Sequence, residues 1–484
     1  MKKHSDIGLI GIAVMGENLA LNMESKGFQV IVSSRKQDTV DGFLNGRAKD
    51  KNIRGTTDLK TLVNDLVKPR KVMLMIKAGN PVDHVIEQLI PLLDKGDIVI
   101  DGGNSHFEDT NRRMKHLESK GFYYVGTGVS GGEEGALLGP SIMPGGSAKA
   151  WPYIKDIFQA IAAKINKTEP CCDWVGPEGA GHFVKMVHNG IEYGDMQLIS
   201  ESYHILRTLL NIDSDELGNI FTNYNKTELD SYLIEITADI LKYKDEDGSP
   251  LIDKILDAAG QKGTGKWTVN TSLDLAVPLT LISESVYARI ISSMKEERLE
   301  ASKAFSQTPV EIEKDQTSFT EDVRKALYAA KIISYTQGFA LIQEASSEYH
   351  WDLNFGNIAL MWRGGCIIRS AFLDKIKVAY AKNPILKNLL LDSHFKQTIE
   401  NSIQSLRKVI AKAVLNGIPT PALSAALNYF DSYKAEKLPA NLLQAQRDYF
   451  GAHTYERTDK QRGEFFHTNW TGRGGKTSST TYNI

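Results

Sequence analysis

Cysteine is scarce in this chain: three in 484 residues, Cys171, Cys172 and Cys366. The odd count and the lack of any Cys-x-x-Cys argue against a disulfide framework and a thiolate metal site. All three read as reduced thiols of a cytosolic protein, without a catalytic role. Charge of one sign is also lacking. Lys and Arg number 57 against 59 Asp and Glu, a net charge of −2. Such a balance gives no general pull toward nucleic acid or anionic lipid, but leaves room for a local basic pocket. No apolar run reaches the length of a membrane span. The start, Met1 to Asp6, lacks the apolar core of a signal peptide, so the expected compartment is the cytoplasm. His453 and His467 stand without acidic or Cys companions at ligand spacing, so no metal is expected. With hydrophobic residues at 42% and charged ones at 24%, the chain is not a disordered one.

What is present is organised in three parts. Ile7–Ile10, 29–33, 72–76, Ile98–Ile100 and 123–125 read as buried strands, with helix-length segments such as 17–26 between them. That alternation means βαβ units and a parallel sheet, here of the α/β Rossmann type. The Gly-rich stretch 126–146 breaks the pattern, and a helix resumes over Trp151–Ile161. Beyond Gly179 strand signals fade and long helical patterns follow, beginning with an unusually long one over 181–210. Gly194-Asp195-Met196-Gln197-Leu198-Ile199 is echoed by Gly338-Phe339-Ala340-Leu341-Ile342-Gln343, and Leu217-Gly218-Asn219-Ile220 by Phe355-Gly356-Asn357-Ile358. Two such echoes at similar spacing point to a duplicated helical unit. From Pro439 the chain is polar and Gly-rich, running to Gly475-Lys476, yet it carries Tyr449, Phe450, Tyr455, Phe465, Phe466 and Trp470. Those aromatics need burial, so a tail that orders on a second subunit is expected. The expected divisions are 1–178, a dinucleotide-binding Rossmann-like domain; 179–436, an all-α domain; and 437–484, a C-terminal tail.

Gly11-Ile12-Ala13-Val14-Met15-Gly16 follows a strand and opens a helix, a G-x-A-x-x-G variant of the dinucleotide fingerprint. Gly11 permits the tight turn, Ala13 stays small beside the pyrophosphate, and Gly16 lets the helix pack on the strand. The helix N-terminus offers free N–H groups to phosphate. Where an NAD site wants an acid after the second strand, this chain has Ser34-Arg35-Lys36. Two cations suit a 2′-phosphate, so NADP is the expected cofactor.

Lys185, His188, Asn189, Glu192 and Tyr193 fall on one face of the first long helix. Val184, Met186, Val187 and Ile191 flank them, so the helix reads as buried and its polar face needs partners that a polar substrate would supply. Lys185 becomes a base if desolvation or nearby cations bring its pKa toward neutrality. Asp101-Gly102-Gly103-Asn104-Ser105 and Ser130-Gly131-Gly132 follow strands, where a parallel sheet binds ligands. Gly260 to Lys266 imitates a P-loop, but Trp267 stands where Mg²⁺ needs Ser or Thr, and Ile252 to Ala259 before it reads as helix, not strand. A backbone wrapping a substrate phosphate, with Lys262 as point charge, fits that segment better.

These blocks, with Arg447-Asp448-Tyr449-Phe450-Gly451-Ala452-His453 near the end, resemble the decarboxylating 6-phosphogluconate dehydrogenases of the pentose phosphate pathway over nearly the whole length. The Lys185–Tyr193 and Lys262–Thr268 blocks are the specific ones. The resemblance implies NADP-dependent conversion of 6-phosphogluconate to ribulose 5-phosphate and CO₂. It implies Lys185 as general base and Glu192 as the acid that protonates C1. By the same resemblance, Asn104, Ser130, Gly131, Gly132, His188 and Asn189 orient the substrate, Tyr193, Lys262, Arg289 and Arg447 bind its phosphate, and Lys77 and Asn104 lie near the cofactor. It further implies a homodimer in which Arg447 and His453 enter the neighbouring subunit's site. One departure stands out: the family often has Asn-Arg-Thr where Ser34-Arg35-Lys36 stands here. The nearest rival is a shorter β-hydroxyacid dehydrogenase of the 3-hydroxyisobutyrate type, which lacks the second helical copy and the tail. A non-catalytic metabolite binder is the other, and intact Lys185 and Glu192 speak against it.

Overall fold

The structure, a computed structural model, describes residues 4–474 and 478–479; the first three residues and Gly475-Lys476 lie outside the described residues. The chain divides into two compact units, Met1–Leu427 and Asn428–Ile484. The first opens with β1 (Ile7–Ile10), α1 (Val14–Ser25), β2 (Val30–Ser33), α2 (Gln37–Asn45), β3 (Ile53–Thr56), α3 (Leu59–Asn64), β4 (Lys71–Leu74), α4 (Asn80–Leu89), β5 (Ile98–Asp101), α5 (Phe107–Ser119), β6 (Tyr123–Ser130), α6 (Gly132–Leu138), β7 (Ser141–Gly146) and α7 (Trp151–Ile161). The sheet order is β3-β2-β1-β4-β5-β6-β7. Strands β1 to β6 run parallel and β7 lies antiparallel to β6. This is the doubly wound order of a dinucleotide-binding sheet, with its switch point between β1 and β4. Every residue of β1, β2, β4 and β5 is buried, because helices cover both faces. One face packs on Leu19, Phe43 and Phe158, the other on Leu62, Ile86 and Leu117.

The Gly-rich stretch does not interrupt the sheet as expected. It supplies the second half of β6 and all of β7. Glycine weakens a strand by propensity, which hides such strands from a pattern reading. Here the missing side chains make room for a helix. A Cβ on Gly145 would come 2.5 Å from the Gly181 amide, and one on Gly126 2.8 Å from the His182 ring.

The helical part of this unit comprises α8 (Ala180–Leu210), α9 (Ser214–Tyr224), α10 (Tyr232–Lys242), α11 (Thr264–Asp274), α12 (Thr280–Ser293), α13 (Lys295–Ala304), α14 (Gln316–Glu348), α15 (Phe355–Met361), α16 (Leu373–Lys382), α17 (Ser393–Leu415) and the start of α18 (Pro421–Lys434). The order long helix, capped short helix, third helix occurs twice: α8-α9-α10 and α14-α15-α16. Asp213 caps α9 and Asn354 caps α15, each accepting from a backbone N–H of the first turn. The two echoed glycines meet at the crossing of α8 and α14. A Cβ on Gly194 would lie 2.5 Å from Ser334 Oγ, and one on Gly338 2.5 Å from Ile191 Cδ1. Each glycine thus admits the partner helix, as close helix crossings require.

The helix expected over Ile252 to Ala259 is a short 3₁₀ turn, Leu251–Lys254, followed by irregular chain. Its charged side chains are drawn outward to distant partners: Lys254 to Asp245 and Asp247, and Asp257 to Lys295 and Arg298.

The second unit, considered by itself, holds α19 (Ala440–Gly451) and a ribbon pairing Tyr455–Glu456 with Phe465–Phe466. A single buried carboxylate organises it. Asp448 accepts from the Thr454 N–H at 3.1 Å, His467 Nδ1 at 2.9 Å, the Thr468 N–H at 2.9 Å and Trp470 Nε1 at 2.8 Å. Leu442, Leu443, Tyr449, Phe450 and Trp470 remain exposed. Among the described residues no helix is long and apolar enough to cross a membrane.

Candidate active site

The turn between β1 and α1 has the form a dinucleotide needs. Gly11 has φ +110°, a conformation that L side chains rarely adopt, and a Cβ there would strike the Met75 carbonyl. A Cβ on Gly16 would strike the Gly11 carbonyl. Ala13, at the N-cap of α1, has an extended backbone and no side-chain cap, while Val14 is exposed. The first-turn N–H groups therefore stay available to an external anion. At the end of β2, Ser34 is half-buried and Arg35 and Lys36 are exposed; among the described residues neither cation has an ion-pair partner. Free donors at α1 and free cations after the adjacent strand β2 fit a dinucleotide carrying an extra phosphate.

Lys185, His188, Asn189, Glu192 and Tyr193 share a face of α8, which lies against β6 and β7. Gly128 of β6 leaves the space taken by the Lys185 stem. Lys185 Nζ donates to Asn189 Oδ1 at 2.7 Å and lies 3.4 Å from His188 Nδ1. His188 Nδ1 is 3.1 Å from the same Asn189 oxygen, and its Nε2 is 3.2 Å from Ser130 Oγ. One assignment satisfies the three shorter contacts and leaves Lys185 Nζ merely beside Nδ1: a neutral imidazole whose Nδ1–H donates to Asn189 and whose Nε2 accepts from the Ser130 hydroxyl. Burial and the Lys185 charge hold the His188 pKa well below its usual value, in keeping with that neutral ring.

The two ionisable groups proposed for the chemistry are both displaced toward neutrality. Burial lowers the pKa of Lys185, against the pull of Glu192. Burial raises that of Glu192, opposed by Lys185 and Arg289 and assisted by Asp195. The result is an amine that loses its proton more readily and an acid that keeps its proton longer, on one helix face.

Asn104 and Asn189 line a small cavity with Lys185, and with Ser105, His182, Met186, Thr264 and Trp267. At one side Gly131 and Gly132, both with positive φ, open α6 beside Ser130. Tyr193 forms a second cluster. The Arg289 guanidinium stacks on its ring at 3.7 Å and donates to the Gly260 carbonyl at 3.2 Å. Gly265 packs edge-on to that ring, where a Cβ would approach to 2.6 Å. Lys262, on the loop leading into α11, is exposed. Lys77 is likewise exposed, on the loop after β4. Arg447 and His453 belong to the second unit, where Arg447 donates to Gln444 and His453 contacts Ser479.

Sequence reasoning missed the loop after α15. Gly365 presses on Gly131 and accepts the Ser141 N–H at 2.7 Å, bringing Cys366 near Lys185. The paired glycines of Trp362-Arg363-Gly364-Gly365-Cys366 were the signal for this close approach. Cys366, like Cys171 and Cys172, is free and buried, and burial pushes its thiol up to about 12. His182 was missed as well, because one His among apolar neighbours looks like ordinary core.

Residues 6–176 match the NAD binding domain of 6-phosphogluconate dehydrogenase. Residues 181–470 match the C-terminal domain of 6-phosphogluconate dehydrogenase. The chain belongs to the 6-phosphogluconate dehydrogenase family. It is 60% identical over 484 residues to the decarboxylating 6-phosphogluconate dehydrogenase of Aggregatibacter actinomycetemcomitans, covering 100% of both chains. It is 60% identical over 480 residues to that of Mus musculus, covering 99% of each. Among solved structures, Plasmodium falciparum 6-phosphogluconate dehydrogenase superposes with a TM-score of 0.93 at 46% identity, over 96% of this chain and 100% of that one. That protein is described in its apo form, with its cofactor NADP⁺ and with its substrate 6-phosphogluconate. The Rossmann-like sheet followed by a large helical domain is therefore the family's own architecture.

Proposed function

We propose that this chain oxidises and decarboxylates 6-phosphogluconate to ribulose 5-phosphate and CO₂, reducing NADP⁺. The observation that carries the reading is the buried Lys185 amine, held 2.7 Å from Asn189 Oδ1 with Glu192 two turns along the same helix face. The family membership supplies the substrate class.

Bound NADP⁺ supplies the hydride acceptor. The turn at Gly11, Ala13, Val14, Met15 and Gly16 would hold its pyrophosphate, and Ser34, Arg35 and Lys36 its 2′-phosphate. Lys77 and Asn104, on neighbouring loops, would face its other half. Lys185 takes the proton of the C3 hydroxyl as that carbon is oxidised. The resulting 3-keto acid loses CO₂ because its carbonyl accepts the electron pair released from the C1–C2 bond. Protonated Lys185 returns its proton to that oxygen, giving an enediol. Glu192, whose pKa burial raises, delivers a proton to C1 for ketonisation. His188 and Asn189 orient the hydroxyls, with Ser130 fixing the imidazole tautomer, and the Gly131 and Gly132 amides hold the carboxylate. Tyr193, Lys262 and Arg289 would bind the phosphate.

Arg447 and His453 are read as completing the site of a second subunit. The exposed Leu442, Leu443, Tyr449, Phe450 and Trp470 of the second unit support a homodimer. Three free buried thiols support a reducing, cytoplasmic setting. The test is direct: follow NADPH and CO₂ together with 6-phosphogluconate, using 3-hydroxyisobutyrate as control. Stoichiometric NADPH and CO₂ from the phosphorylated acid alone is the expected result. Turnover of the control, or NADPH without CO₂, overturns the reading.

A further inference from the structure

Two loops leave the sheet on the β4–β5 side of the switch point. The first runs from Met75 to Gly79 and carries Lys77; the second runs from Gly102 to Ser105 and carries Asn104. They pack tightly: a Cβ on Gly102 would come 2.6 Å from Met75 Sδ, and one on Gly103 3.1 Å from the Ile76 carbonyl. Beneath both lies Arg113 of α5, 1% exposed. Its Nε and Nη2 grip the two oxygens of Asp83, each at 2.9 Å, in the first turn of α4. Nη2 also donates to the Gly79 carbonyl at 3.0 Å. Nη1 turns to the other loop, 3.4 Å from Ser105 Oγ and 3.5 Å from Asp101 Oδ2. Asp101 is itself fixed, accepting from Ser105 Oγ at 2.6 Å, Tyr124 at 2.9 Å and the Gly103 amide at 3.1 Å. One planar cation therefore bridges both loops, and its fork is the part that Lys cannot copy.

We propose that Arg113 is a positioning residue that locks these two loops into one rigid ledge for the nicotinamide half of the cofactor. Which half follows from the strand order. The pyrophosphate turn is on β1 and the cations for the 2′-phosphate follow β2, so the adenosine half lies on the β2 side. The β4–β5 side is left for nicotinamide and its ribose. Arg113 touches no reacting atom in this scheme. It acts through the spacing of Lys77 and Asn104. The inference rests on the reading of the chain as an NADP-dependent enzyme.

The test separates the two halves by calorimetric titration with NADP⁺ and with adenosine 2′,5′-bisphosphate, which carries the adenosine half alone. The variants are Arg113→Lys, which keeps the charge but not the fork, and Asp83→Asn, a milder change at a partly exposed partner. For both variants the expected result is NADP⁺ affinity lowered about tenfold with affinity for the bisphosphate unchanged. Equal weakening of both ligands means general damage to the domain and overturns the proposal, as does NADP⁺ affinity that stays at the wild-type value. Wild-type protein that binds neither ligand would sink the functional reading instead.

Discussion

Glu201 offers a prediction whose size can be worked out from the structure. It lies on α8 and is 3% exposed. Its carboxylate accepts from the N–H groups of Ala422 at 2.8 Å and Leu423 at 2.9 Å, at the start of α18, and from Gln197 at 3.0 Å. Two effects oppose each other. Desolvation favours the neutral acid, with a smaller contribution from Glu284, while the helix N-terminus favours the anion. Desolvation wins, and the group is pushed from 4.5 up to about 7. A raised carboxyl pKa stabilises the fold fully below the unfolded value, and that contribution is lost as pH rises through about 7. At 1.36 kcal/mol per pH unit, the span amounts to about 3 kcal/mol. Glu201→Gln cannot titrate. Its amide loses one acceptor, a cost of about 1–3 kcal/mol that does not depend on pH. The stability difference between the variant and the wild type should therefore shift by about 3 kcal/mol in favour of the variant between about pH 4 and pH 8. Hydrogen exchange at the Ala422 and Leu423 amides reads this locally, which matters because a chain of this size need not unfold in one step. A variant-to-wild-type difference that stays constant with pH would show that Glu201 is ionised throughout, and that the helix amides outweigh burial.

Three further outcomes are expected. Lys185→Ala should lower turnover by about 10³-fold or more while substrate and cofactor binding persist, measured by initial rates and titration; near-normal NADPH formation would remove Lys185 as the base. Arg35→Asp should reduce kcat/KM for NADP⁺ by about two orders of magnitude while changing that for NAD⁺ far less, and equal losses would place the 2′-phosphate elsewhere. Ending the chain before Arg447 should abolish activity and weaken the dimer in sedimentation; an active truncated monomer contradicts a shared site.

The sequence made some of this legible and hid the rest for physical reasons. The Gly11 to Gly16 turn was readable because only small residues survive where a carbonyl comes so close. The face from Lys185 to Tyr193 was readable because helical spacing is regular. The glycine strands around Gly126 and Gly145 were not, since their signal is a missing side chain matched to a helix distant in sequence. Arg113, His182 and Glu201 escaped for a related reason. A buried polar residue is defined by its partners, and those partners are Asp83, Thr110 and the α18 amides, at separations no local pattern spans.

The recurrence of the α8 unit in α14 leaves the polar face on one helix only. Aligning Gly194 with Gly338 sets Lys185, His188, Asn189, Glu192 and Tyr193 against Ala329, Ile332, Ile333, Thr336 and Gln337. All five second-copy residues are buried at 1% exposure or less. The first copy carries two ionisable side chains, an imidazole, an amide and a phenol; the second has apolar or uncharged polar residues at the same places. α14 packs along α8, and Gly338 sits against Ile191 and Val187 on the side away from Lys185. The second copy thus keeps water from the back of α8, while Gly128 of β6 closes on the Lys185 stem on the polar side. Desolvation is the largest cause of both the lowered Lys185 pKa and the raised Glu192 pKa. Under the proposed role of Lys185 as base, that desolvation comes from the sheet side of α8, while α14 backs the helix that presents the amine.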